Sequence, residues 1–172
     1  MTRIESGAIV PNTAPCDLGE VVGSALRRAG KILARHHVEL DVAANLPMLQ
    51  VDAVLLEQAL FNILDNAAKY TPQGSKVRIQ IWRDDNFTQL QILDEGEGIP
   101  PDDLERIFDK FHRVNKGDSV RPGTGLGLAI SRGFVEAMHG TVAAANRTDR
   151  SGAVFTIRLP IAEKAKLPER TA

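Results

Sequence analysis

The longest apolar stretch of the chain, Ala53 to Ala68, is interrupted by Glu57, Gln58, Asn62, Asp65 and Asn66. Those interruptions exclude a membrane span, which needs about 18 to 20 predominantly apolar residues. The stretch reads instead as an amphipathic helix, capped by Asp52, running to about Tyr70 and stopped by Thr71-Pro72. At about 100° per residue, Leu56, Leu60, Ile63, Leu64 and Ala67 share the face that belongs in a core. Asn62, Asn66, Lys69 and Tyr70 fall on a stripe along its edge. Asn is a poor helix former and is seldom favoured twice in mid-helix. An Asn oxygen can ligate Mg²⁺ and a Lys can pair with phosphate; a solvated polar stripe is the competing account.

Around this helix the pattern alternates between hairpins and further helices. Pro11 and Pro15 break the chain, and Asp17 caps a helix expected to reach about His36. Val38 to Val42 alternates like a strand, Asn45-Leu46-Pro47 turns, and Met48 to Val51 is a second short strand. Lys76 to Arg83 and Thr88 to Leu93 form a hairpin around Asp84-Asp85-Asn86. A short helix follows near Pro101 to Arg106, then a long mobile loop from Phe108 to Gly123. A helix from about Thr124 to Met138 stops at Gly140. Thr141 to Asn146 and Ala153 to Leu159 make a second hairpin. Strands arriving in hairpins with helices between them predict an α+β fold. The expected architecture is a two-layer sandwich, a mixed and mostly antiparallel sheet covered on one face by about three helices.

One domain is expected over residues 17–161, with a linker over 1–16 and a disordered tail over 162–172. A hydrophobic content of 43% suffices for its core. The net charge of -1 provides no general attraction for nucleic acid or an anionic membrane, so any bound polyanion must be held by local groups. The single cysteine, Cys16, excludes an internal disulfide framework, and the N-terminus lacks the apolar core of a signal peptide.

Two glycine-rich segments accompany the Asn-bearing helix. Asp94-Glu95-Gly96-Glu97-Gly98-Ile99-Pro100 follows a predicted strand. Its glycines let backbone approach a ligand closely, and a carboxylate at the strand end can accept from an exocyclic amine such as adenine N6. An acidic turn is the alternative. Gly123-Thr124-Gly125-Leu126-Gly127-Leu128 opens a helix and leaves backbone N–H groups bare, as phosphate binding requires. It lacks the Gly-Lys-Ser/Thr of a Walker loop and the spacing of a dinucleotide fingerprint, and a flexible hinge is the alternative. Between them, Phe108 and Phe111 suggest anchors onto the body. His112, Arg113, Lys116 and Arg121 supply a basic cluster able to reach phosphates, or an ordinary solvated one.

Taken in order, Asn62 to Tyr70, Asp94 to Ile99, Phe108 to Phe111 and Gly123 to Leu128 resemble the N box, first glycine box, F box and second glycine box of one nucleotide-binding fold. Histidine kinases, gyrase B, Hsp90 and mismatch-repair ATPases share that fold. The resemblance extends from about Asp17 to Pro160, and His139-Gly140 and Gly152 look like the histidine kinase pattern. Arg3 to Gly7 resembles the end of the dimerisation hairpin of those kinases. Arg3 to Ala8 and Leu18 to Leu26 are most similar to their potassium-responsive branch.

The resemblance implies ATP and Mg²⁺ as cofactors. It implies that Asn66 ligates Mg²⁺ and that Asn62 lies beside the metal and phosphates. Lys69 contacts phosphate and Tyr70 lies against adenine. Asp94 reads adenine N6, with Gly96, Gly98 and Ile99 close to the base. Phe108 belongs to the nucleotide site, and Gly123, Thr124, Gly125, Leu126, Gly127 and Leu128 meet the phosphates. Arg113 approaches the γ-phosphate and, with Lys69, assists transfer. Glu95 and Glu97 replace a common Asn and Pro, and the added negative charge is expected to weaken affinity.

The implied activity is that of a protein-histidine kinase catalytic domain. None of His36, His37, His112 or His139 is followed by the Glu or Asp of a phosphoacceptor helix, so the acceptor is expected upstream or in trans. Implied partners are that phosphoacceptor domain and, indirectly, a response regulator, with no nucleic acid. The isolated domain is expected to be a cytoplasmic monomer, and its parent a homodimeric inner-membrane sensor. A free-standing ATPase of the gyrase or Hsp90 kind is the first alternative, although Asn62 stands where that class places its general-base Glu. A non-catalytic module gated by nucleotide is the second.

Overall fold

A computed structural model describes residues 9–110 and 126–161 of the chain. The element order is β1 (Ala14–Cys16), α1 (Leu18–Arg28), β2 (His37–Val42), β3 (Leu49–Val51), α2 (Ala53–Lys69), β4 (Lys76–Arg83), β5 (Phe87–Leu93), two 3₁₀ turns (Pro101–Asp103 and Arg106–Phe108), α3 (Gly127–Ala137), β6 (Thr141–Asn146) and β7 (Ala153–Pro160). Five strands form one sheet in the order β2-β4-β5-β7-β6. β2 lies parallel to β4 and the other pairs are antiparallel. The α+β sandwich with a mixed, mostly antiparallel sheet and three helices is therefore present. Among the described residues no helix is long and apolar enough to cross a membrane.

The period-two alternation of the hairpins sets the core. Val77, Ile79 and Ile81 of β4, Leu90 and Ile92 of β5 and Phe155, Ile157 and Leu159 of β7 are all buried. They join Val21, Val22 and Ala25 of α1 and Leu56, Leu60, Ile63, Leu64 and Ala67 of α2 in one cluster. Each such aliphatic side chain contributes about 1.5–3 kcal/mol on full burial. The apolar face of α2 thus occupies the position its sequence pattern requires.

Both caps expected for the first two helices are made. Asp17 Oδ1 accepts from Gly19 N at 2.8 Å. Asp52 Oδ1 accepts from Val54 N and Leu55 N at 3.0 and 3.2 Å. Its other oxygen accepts from Asn12 N, which ties the segment before β1 to the start of α2.

Three details differ from the sequence expectation. α1 ends at Arg28 instead of near His36, because Gly30 interrupts the helix and its N–H turns back to Arg27 O, three residues earlier. Pro15 lies inside β1, which pairs with β3 in a separate two-stranded sheet, where its missing N–H removes little from so short a ladder. α3 stops in a Schellman turn whose left-handed residue is His139 (φ 69°), not Gly140. His139 N bonds Glu136 O and Gly140 N bonds Val135 O, both at 3.0 Å.

Gly140 is required for a different reason. A Cβ there would lie 2.5 Å from Arg158 O and 2.9 Å from Val135 Cγ1. Gly140→Ala is expected to destabilise the protein by about 1–3 kcal/mol through overpacking. His139→Gly, at an exposed left-handed position, is expected to leave stability unchanged or raise it by up to about 1 kcal/mol. Urea denaturation of the two variants measures both, and equal effects would contradict this division of labour.

Candidate nucleotide site

α2 carries the first part of the site. Asn62, Asn66, Lys69 and Tyr70 are all half-buried, at the margin of the packed face. Asn62 is fully engaged within the protein: its Oδ1 accepts from Gln58 Nε2 at 2.9 Å and its Nδ2 donates to Gly127 O at 3.1 Å. Buried Ser131 reinforces this junction by donating to Gly127 O at 2.9 Å and approaching Ala59 O at 3.1 Å. The start of α3, with Leu126 at its N-cap and Leu128 packed against the core, is therefore fastened to the middle of α2. One turn further along, the Asn66 side chain makes no hydrogen bond among the described residues. Lys69 Nζ forms an i,i+4 pair with Asp65 Oδ2 at 3.0 Å.

The end of α2 meets the acidic glycine corner. A Cβ on Gly96 would lie 2.6 Å from Tyr70 O and 3.1 Å from Thr71 Cγ2, so only glycine permits this approach. Asp94, the first residue of the corner, is 5% exposed. Its Oδ1 accepts from Gly96 N at 2.9 Å and from Ala153 N at 3.0 Å. Among the described residues nothing bonds Oδ2, so one carboxylate oxygen is fixed and the other is available. Burial raises the Asp94 pKa above its ordinary value, against the opposing pull of these two N–H groups and of Arg147.

The far side of the corner rests on the β6–β7 hairpin. Asn146 Oδ1 accepts from Ile99 N at 2.7 Å and Asn146 Nδ2 donates to Ile99 O at 2.8 Å. Arg147 Nη1 donates to Asp94 O at 3.1 Å and Ser151 Oγ to Gly96 O at 2.6 Å. Gly98 takes a left-handed φ of 87° directly against Asn146 Oδ1. Sequence reasoning singled out Gly152 of this hairpin but missed Asn146, Arg147 and Ser151. A polar pair closing the small-residue strand Ala143–Ala145 is the only local signal they carry.

Phe108 lies in the core beside this site. It is buried, meets Phe155 edge-on at 6.3 Å between centroids, and lies 4.3 Å beneath the Arg132 guanidinium. These contacts anchor the segment to the core. Glu95 is engaged within the protein: its Oε1 accepts from Lys76 N at 2.9 Å and its Oε2 from Arg150 Nη1 at 2.6 Å. The Lys76 hydrogen bond and the neighbouring cations lower its pKa, and its charge is locally compensated. Glu97 is exposed. Arg113, Gly123, Thr124 and Gly125 lie outside the described residues, as do Phe111, His112, Lys116, Arg121 and the segments 1–8 and 162–172.

No group of three His, Cys, Asp or Glu able to hold a metal exists among the described residues. His36 serves the fold, its Nε2 lying 2.8 Å from Thr71 Oγ1, which donates to Ala67 O. The amide oxygen of Asn66 suits a hard cation that brings most of its own oxygen ligands, as magnesium on phosphates does.

Known proteins resemble this chain in sequence and in fold. A family described as "Histidine kinase-, DNA gyrase B-, and HSP90-like ATPase" matches residues 51–163. The sensor protein KdpD of Escherichia coli is 39% identical over 169 residues, covering 98% of this chain and 19% of KdpD. The mycobacterial sensor histidine kinase MprB superposes with a TM-score of 0.76 at 31% identity, over 86% of this chain and 97% of that one. Full-length ShkA in complex with AMPPNP gives a TM-score of 0.77 at 28% identity, over 90% of this chain and 32% of that one. The chain spans less than a fifth of the length of the curated KdpD relatives it matches. Its fold, its ordered glycine and asparagine boxes and the family match over 51–163 place this chain in the histidine kinase-, DNA gyrase B- and HSP90-like ATPase family.

Proposed function

We propose that the chain is the ATP-binding catalytic domain of a two-component sensor histidine kinase and transfers the γ-phosphoryl group of ATP to a histidine of a phosphoacceptor domain. The observation that carries this reading is the pair of uncommitted acceptors, Asp94 Oδ2 and the Asn66 amide, beside glycine-bare backbone. Tyr70, against the corner, and Asn62, against the start of α3, are eight residues apart on α2, a span of roughly 12 Å at 1.5 Å per residue. That length sets a base at one end and a phosphate chain at the other.

In this reading Asp94 Oδ2 accepts the adenine 6-amino group, while Gly96, Gly98 and Ile99 bring backbone close to the base and Tyr70 lies beside it. Asn66 offers its oxygen to Mg²⁺, and Asn62 holds the start of α3 in place next to the metal and phosphates. Lys69 and the N–H groups from Gly123 to Leu128 face the phosphates, and Arg113 reaches the γ-phosphate. Bound magnesium would neutralise charge on the phosphate oxygens. The acceptor imidazole nitrogen forms its bond to the γ-phosphorus as the bond to the β,γ-bridging oxygen breaks, and ADP leaves with that electron pair. Such transfer needs positioning and charge neutralisation more than covalent help. Hydrolysis is less well served. Asn62 is an amide committed at both ends, Glu57 bonds Ser24 and pairs with Arg28, and Asp65 pairs with Lys69. The parent is proposed to be a homodimeric membrane sensor acting through a response regulator, with this domain on its cytoplasmic side.

Calorimetric titration with Mg-ATP should show affinity lost, by at least about tenfold, in both Asn66→Asp and Asp94→Asn. Unchanged affinity in both would sink the pocket assignment. With labelled ATP and a separate phosphoacceptor domain, label should appear on the acceptor histidine. Phosphate release without an acceptor would instead indicate an ATPase, and binding with neither outcome a nucleotide-gated module.

Asp94→Asn should also separate binding from stability. Burial disfavours the ionised carboxylate, so wild type bears that cost in full above the raised pKa and sheds it as pH falls toward the ordinary value of 3.8. The Asn oxygen can still accept from Gly96 N and Ala153 N. The variant is therefore expected to be the more stable protein at pH 7, with its advantage shrinking on acidification. Chemical denaturation at several pH values measures this, and an advantage that grows as pH falls would contradict it.

A further inference from the structure

The acidic glycine corner is short of side chains that could hold it from within. Two of the four residues between Asp94 and Ile99 are glycines, one of them with a positive φ, and such a segment has wide conformational freedom when unsupported. Ser151 holds its middle at Gly96 O, and Lys76 N and Arg150 hold Glu95, while two consecutive residues of the β6–β7 hairpin hold its two ends. The Asn146 amide meets both the N–H and the C=O of Ile99, taking the place of a neighbouring strand's peptide. Arg147, only 9% exposed at its side chain, grips the Asp94 carbonyl through Nη1 and is itself oriented by Asp149, at 2.9 Å from Nη2 and 3.0 Å from Nε. One residue thus fixes where the corner ends and the other where it begins.

The beginning matters for recognition. Asp94 Oδ1 is tied to two backbone N–H groups, so the direction of Oδ2 follows the position of the Asp94 backbone, whose N–H is held by Ala153 O and whose carbonyl is held by Arg147. A carboxylate oxygen held in one direction demands a donor from the ligand and rejects an acceptor. Adenine presents a 6-amino donor at that edge, and guanine presents a carbonyl. Discrimination of this kind weakens when the polar group can move away from the mismatch.

We propose that Asn146 and Arg147 are positioning residues that set the base selectivity of the pocket, by clamping the two ends of the Asp94–Ile99 corner. The proposal rests on the nucleotide-binding reading given above. Neither side chain touches nucleotide in this scheme, and neither acts on the phosphates. Loss of either clamp falls on adenine recognition, and phosphate binding is unaffected.

The test compares dissociation constants for Mg-ADP and Mg-GDP, measured calorimetrically on the full 172-residue chain. Asn146→Ala removes the Ile99 clamp. Arg147→Met removes the donor and charge but keeps most of the side-chain bulk. Each is expected to weaken ADP by about tenfold and GDP by less than about twofold, lowering the selectivity ratio. Arg147→Lys, which retains a donor and a charge, is expected to recover most of that ratio. A merely structural role would lower both affinities together or follow the melting temperature, and either pattern overturns the proposal. If Asn146→Ala does not fold, the Arg147→Met and Arg147→Lys pair decides the matter alone. Wild type binding ADP over GDP, with variants keeping the same ratio, overturns this inference only. Wild type binding neither nucleotide overturns the nucleotide reading and this inference with it.

Discussion

Asp94 Oδ1 accepts two backbone hydrogen bonds, one from Gly96 two residues ahead and one from Ala153 on the last strand. Asp94 N in turn donates to Ala153 O at 3.0 Å. This small knot joins the end of β5, the glycine corner and the start of β7, and the glycines around it are consequences of its tightness. A Cβ on Gly152 would lie 2.0 Å from Asp94 O, and one on Gly96 would strike the end of α2. A neutral amide oxygen could accept the same two bonds without the desolvation cost of a buried charge. A carboxylate at this position is thus costly to the fold, and on the proposed nucleotide reading the donor that its second oxygen would accept from is the reason for it.

The same logic separates the two asparagines of α2. They are the same residue type on the same helix face, one turn apart, and each lowers helix propensity by roughly 0.7 kcal/mol relative to Ala. Asn62 offsets that penalty within the fold, through Gln58 and the Gly127 carbonyl. Asn66 gains no such return among the described residues. An amide that the fold uses and an amide that the fold leaves open have different assignments, although sequence alone presents them as equals. The apolar positions between them, Ile63 and Leu64, are fully packed, so the stripe cannot rotate without disturbing the core.

What was legible from sequence was local. Asp17 and Asp52 announce their helices, the two hairpins announce themselves by alternation, and Asp94 with its glycines stands out at a strand end. Connections made across the chain left no comparable trace. Asn146 meets Ile99 across 47 residues and Arg147 meets Asp94 across 53, and neither residue type at a strand end signals its partner. The partners of Glu95, Lys76 and Arg150, left no trace for the same reason, since only the fold brings them to it. Phe108 belongs to a recognised motif, but which way an aromatic faces depends on what packs against it, here Phe155 and Arg132. The length of α1 was misjudged because a single Gly30 decides whether a favourable helical pattern continues.

The distribution of charge explains how a chain with net charge -1 can accommodate a polyanion on the kinase reading. Several described cations at and around the corner already face carboxylates: Arg147 with Asp149, Arg150 with Glu95 and Arg132 with Glu105 and Glu136. Moving any of them onto phosphate would leave a carboxylate behind and return little net attraction. On that reading the neutralising charge comes from magnesium, from Lys69, from N–H groups at the start of α3, and from basic residues between Phe111 and Gly123 in the sequence. Recognition of the base and compensation of the phosphates are thereby assigned to different parts of the chain. On that reading the corner that meets the base is fixed in advance by backbone and hairpin, while magnesium arriving with the ligand supplies charge at the phosphates. Such a division lets selectivity for adenine be set independently of the chemistry at the γ-phosphate.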